Sequence, residues 1–73
     1  MHPMTQTAAA HRVASTIRAE LARRRIPQTL VAERLTLSQA TVSRRLTGEY
    51  PFDVDELDVI ADLLGMTTAE LVA

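Results

Sequence analysis

The chain has 73 residues, 47% of them apolar, with no cysteine and only two aromatic side chains, Tyr50 and Phe52. At this length there is one domain at most, about 60% of the unfolded surface is buried on folding, and neither disulfides nor thiolate-bound metals can reinforce it. The formal charge of −1 conceals two halves of opposite sign: residues 12–48 carry eight arginines against Glu20 and Glu33, a net of +6, whereas residues 49–73 carry seven acids and no base, −7.

Residues 1–8 lack periodicity and contain Pro3, so a loose tail is expected ahead of a domain over 9–73. The first helix is predicted to begin between Thr7 and His11 and to run to about Arg24, because Val13, Ile17 and Leu21 recur every four residues, with Ala10 and Ala14 on the same face. Arg23, Arg24 and Arg25 follow, where cations suit the negative end of a helix dipole and could equally meet phosphates. Ile26-Pro27 breaks the pattern, since proline disfavours helical geometry in the residue before it and is tolerated only in a first turn. A second helix runs from there to Leu35. Ser38 offers an N-cap oxygen for a third, Gln39 to about Leu46, which Gly48 ends. Leu30, Val31, Leu35, Leu37, Val42 and Leu46 are expected to form one buried seam. Asp53 with Glu56 three residues on is a capping-box pattern for a fourth helix burying Val54, Leu57, Ile60, Ala61 and Leu64. Gly65 stops it. Thr67 with Glu70 repeats the box for a short fifth helix, whose apolar contact comes from Leu71 and Val72. The expected fold is an all-α, compact bundle of about five short helices.

Two short helices joined by a tight turn at residues 28–48, with arginines and short polar side chains on the second, have the layout of a DNA-reading helix-turn-helix. Gln39, Ala40, Ser43 and Arg44 are one, three and four residues apart and share a face opposite Val42 and Leu46. Glutamine can bond adenine N6 and N7, arginine can bond guanine O6 and N7, and Ala40 could meet a thymine methyl. A sequence pI of about 6.0 does not argue against this, because a phosphate backbone responds to the field of one face.

Gln28, Val31-Ala32, Leu35, Leu37, Ser38-Gln39, Val42-Ser43-Arg44 and Gly48, followed by Leu57, Ile60-Ala61 and Leu64-Gly65, resemble the lambda-repressor-like, Cro/XRE-type helix-turn-helix family over about residues 12–72. The downstream Ile-Ala-x-x-Leu-Gly segment makes the resemblance more specific than a lone helix-turn-helix. It implies a bundle of about five helices and sequence-specific binding of double-stranded DNA, commonly as a transcriptional repressor. It also implies that Gln28 binds a phosphate and buttresses the third helix, and that Gln39 reads a base edge. The chain departs from the family pattern at three places. Thr36 stands where glycine is usual in the turn and is expected to take positive φ. Pro27 replaces the usual Thr or Ser cap. Arg45-Leu46 replaces a large apolar or aromatic residue followed by an acid, with Leu46 taking the packing role and leaving Arg45 at the phosphates. Thr47 is expected beside it, and Arg24 and Arg25 are further phosphate candidates.

Enzymatic readings find little support. His2 and His11 have no nucleophile or metal-ligand partner nearby in sequence, and the pairs Asp53/Asp55 and Asp58/Asp62 lack the glycine and loop spacing of a calcium site. No enzyme activity, cofactor or metal is expected. No apolar run approaches the ~18 residues needed to cross a bilayer, and no charged-then-apolar leader is recognisable, so a cytoplasmic protein is expected. Its partner is expected to be DNA, with a homodimer one option for its assembly. The alternative is a protein-interaction or antitoxin-type domain that docks through its acidic fourth helix and apolar C-terminus.

Overall fold

A computed structural model describes residues 7–73, which form five helices: α1 Ala8–Arg23, α2 Gln28–Leu35, α3 Gln39–Leu46, α4 Val54–Leu64 and α5 Thr68–Val72. No strand occurs among the described residues. The expected loose tail lies largely outside them, but its last two residues, Thr7 and Ala8, are the N-cap and the first residue of α1. Thr7 Oγ1 accepts a hydrogen bond from the Ala10 N–H at 3.0 Å, and Ala8 opens the helix.

Side chains cap four of the five N-termini. Besides Thr7 on α1, Ser38 accepts from the Thr41 N–H at 3.1 Å, and both capping boxes form, Asp53 with Glu56 on α4 and Thr67 with Glu70 on α5. Each cap satisfies a donor that has no partner inside the helix. The exception is α2, where Pro27 has no side-chain donor or acceptor and makes no such bond.

The first four helices end alike. A residue with positive φ (Arg25 at 57°, Thr36 at 58°, Gly48 at 83°, Gly65 at 68°) turns the chain left-handed. The next residue then donates its N–H back to a carbonyl in the last turn: Ile26 to Leu21, Leu37 to Ala32, Glu49 to Arg44 and Met66 to Ala61, at 2.9–3.1 Å. This is the Schellman arrangement, and in three of the four cases the residue after the turn is an apolar side chain (Ile26, Leu37 or Met66) packed against the core. Thr36 has the expected positive φ; Arg25 adopts it without a sequence signal.

The core joins all five helices: Ile17 and Leu21 of α1, Val31 and Ala32 of α2, Val42 and Leu46 of α3, Leu57, Ile60, Ala61 and Leu64 of α4, and Leu71 of α5. Truncating a wholly buried residue such as Ile17, Leu46 or Ile60 to alanine costs about 2–5 kcal/mol. α3 packs on α1 and α2, α4 on α2 and α5, and α5 on α1. The expected seam is buried at Val31, Val42 and Leu46 but only half-buried at Leu30, Leu35 and Leu37. Two expectations need correction. Val54 has the spacing of the apolar face, yet it is 77% exposed, because it is the first helical residue and lies one turn beyond the reach of the core. Val72 is also exposed, and Leu71 alone anchors α5.

Candidate nucleic-acid interface

α3 is amphipathic in the sense its sequence suggested. Val42 and Leu46 are buried, while Gln39, Ala40, Ser43 and Arg44 are all exposed. Ser38 holds the start of the helix. Its far end is closed around one carbonyl: Arg44 O accepts from the Thr47 hydroxyl at 2.9 Å and from the Glu49 N–H at 3.1 Å, with the Tyr50 N–H at 3.4 Å. The Thr47 hydroxyl is therefore turned toward its own helix. Gln28 is exposed at the first position of the uncapped α2.

The eight arginines divide into two sets that the sequence does not distinguish. Arg18, on α1, donates to the Leu46 carbonyl at the end of α3. Arg24 donates to the Leu64 carbonyl at the end of α4 and, through Nε, to Glu20 at 3.1 Å; Arg23 also pairs with Glu20. In each helix-end contact a cation meets carbonyls that have no partner inside the helix, at the negative end of its dipole. Hydrogen bonds from Arg23 and Arg24 hold the Glu20 carboxyl below its ordinary value.

Arg45 is engaged as well. Its Nε donates to Glu56 Oε1 at 2.8 Å and its Nη2 to Glu56 Oε2 at 3.0 Å, a two-point grip between α3 and α4. The hydrogen bonds to Glu56 raise the guanidinium above its ordinary value despite partial burial. The phosphate candidates Arg24, which stays exposed, and Arg45, which is partly buried, are thus both engaged by groups of the fold that are far away in sequence. Arg12, Arg25, Arg34 and Arg44 are exposed and make no side-chain hydrogen bond or ion pair among the described residues. Arg25, a third phosphate candidate, belongs to this set.

Away from α3, a depression of about 500 Å³ between α4 and α5 is lined by Asp58, Val59, Asp62, Met66 and Thr67 among others. No three potential metal ligands cluster among the described residues. No helix among them is long and apolar enough to cross a membrane.

The fold and this surface define a small all-α domain built around a helix-turn-helix, with the exposed face of the second helix of that motif turned outward. The chain belongs to the Cro/C1-type helix-turn-helix DNA-binding domain family, whose model matches residues 16–73. DNA binding follows from that membership. No curated protein and no solved structure matches the chain.

Proposed function

We propose that this domain binds double-stranded DNA at specific sequences by laying α3 in the major groove, and that it acts as a transcriptional repressor or regulator. The observation that carries the reading is the exposed quartet Gln39, Ala40, Ser43 and Arg44 on a capped helix whose other side is locked into the core. Gln39 and Arg44 have the donor and acceptor geometry for bidentate base contacts, and Ser43 and Ala40 can bond or pack between them.

The phosphate contacts fall to Gln28, with the uncapped N–H groups of α2 behind it, and to Arg25. A helix start that offers free N–H donors and a positive dipole end favours an anion. Thr47 can join them by turning its hydroxyl away from the Arg44 carbonyl. Arg24 and Arg45 are assigned to holding the fold. The test is selection of bound duplexes from a random pool, followed by affinity for the selected and random duplexes across salt concentration. A specific binder prefers its selected sequence, and both affinities fall with salt. Equal affinity for selected and random duplexes would overturn the reading.

The acidic depression between α4 and α5 favours a second reading, a surface for docking a basic protein segment. A chain that captures such a segment and shows no salt-sensitive affinity for DNA would establish it in place of the first.

A further inference from the structure

We propose that Glu56 is a positioning residue for DNA reading: by holding Arg45 at two points it sets the rotation of α3 about its own axis, and with it the base edges that Gln39 and Arg44 meet. The inference rests on the functional reading above.

α3 has eight residues, and its buried contacts are Val42 and Leu46, four residues apart and therefore on one line along the helix. One line of apolar contacts fixes how deeply a helix sits but resists its rolling only weakly. Arg45 lies about 100° around the helix from Leu46 and about 60° from Val42, so a tie at Arg45 adds a contact to one side of that line and opposes rolling. The other end of that tie is itself anchored by hydrogen bonds. Glu56 Oε1 also accepts the Asp53 N–H at 2.9 Å, Asp53 Oδ1 accepts the Glu56 N–H at 2.7 Å, and the neighbouring Leu57 is buried in the core. Both partners are shielded from water, the Arg45 side chain at 21% exposure and that of Glu56 at 12%. A guanidinium and a carboxylate joined by two parallel bonds are fixed in angle as well as distance, which a lysine ammonium cannot reproduce.

Bidentate base contacts tolerate about 0.5 Å and 10–20° of error, whereas long arginine side chains on phosphates adjust. Loosening α3 therefore degrades sequence preference before general affinity for DNA.

The experiment compares the wild type with Arg45→Lys, Arg45→Ala and Glu56→Gln, each at a temperature where circular dichroism shows it folded. The ratio of affinity for the selected duplex to affinity for a random duplex is read together with the salt slope of random-duplex binding. Arg45→Lys keeps the charge and the α4 capping box, so it carries the test even if Glu56→Gln is poorly folded. The expected result is a loss of about fivefold or more in the ratio for both Arg45→Lys and Glu56→Gln, the low end of one bidentate base contact, with the salt slope unchanged in all three variants. An unchanged ratio in folded Arg45→Lys and Glu56→Gln would show that the pair only stabilises the bundle. Wild-type affinity in Arg45→Lys, with a slope about one unit flatter in Arg45→Ala, would make Arg45 a phosphate contact; either result overturns the proposal. A wild type with no preferred sequence overturns the functional reading itself, and this inference with it.

Discussion

The backbone of Gly48 lies directly against His11 in the first turns of α1: a Cβ at Gly48 would stand 2.5 Å from His11 Nδ1 and 3.0 Å from its Cα. The loop leaving α3 is thereby seated on α1, close to where Arg18 reaches the Leu46 carbonyl. Gly48 meets two demands at once, positive φ and close approach. Gly65 has the same sign of φ but nothing within 4 Å of the Cβ position.

Gly48→Ala should therefore cost more than Gly65→Ala. Left-handed strain and displacement of His11 together come to roughly 2–4 kcal/mol. For Gly65→Ala strain alone, partly offset by a less flexible unfolded chain, leaves about 1 kcal/mol. Chemical denaturation of the two variants decides the matter, and equal losses would mean that His11 moves aside freely.

Thr36 and Arg25 stand at two of the four left-handed turns without being glycine. Thr36→Gly should stabilise the domain by up to about 1 kcal/mol, since relief of strain slightly exceeds the added entropy of the unfolded chain. At this size that is a rise of about 4–8 °C in Tm at most. A clear fall in Tm would show that the threonine side chain makes contacts worth more than the strain.

The division of the arginines is testable in pairs. Arg44→Ala should weaken binding to the preferred duplex by about 1–3 kcal/mol and relax preference at one base position, with Tm unchanged. Arg24→Ala should do the reverse, lowering stability by about 1 kcal/mol through loss of its bond to the Leu64 carbonyl and leaving the salt slope of DNA binding as it was. If Arg24→Ala flattens the slope by about one unit instead, Arg24 leaves the fold to meet a phosphate.

Glu20 gives a pH dependence of definite sign. Its carboxyl titrates lower in the folded chain than the ordinary value of 4.5, so the stability it contributes is present above pH 4.5 and is lost as pH falls through the lowered folded value. Glu20→Gln should lower Tm near neutral pH, and the gap to the wild type should close in acid. Because the group is exposed, the gap should be small at every pH and should shrink with salt. A gap that widens in acid would contradict this assignment.

The local devices were legible in the sequence. Ser38, Asp53 and Thr67 announce helix starts because a cap needs only an oxygen two or three residues from the N–H it accepts. The three- and four-residue spacing of Ile17 with Leu21, Val42 with Leu46, and Leu57 through Leu64 fixes which face is buried. By exclusion the same spacing left Gln39, Ala40, Ser43 and Arg44 outside, and the family resemblance, with glycine usual at that turn position, implied positive φ at Thr36. All of these depend on neighbours within a few residues.

What only the tertiary structure decided is the use of the charges. Arg18 meets a carbonyl 28 residues away, Arg24 one 40 residues away, and Arg45 a carboxylate 11 residues away on another helix. Nothing in the local sequence separates these three from Arg12, Arg25, Arg34 and Arg44, which remain in solvent. Val54 was misplaced for a related reason: periodicity tells which side of a helix is apolar, but not how far along the helix its neighbours extend. A long cationic side chain joins whatever acceptor the packing brings within reach, and helix packing is a property of the whole core.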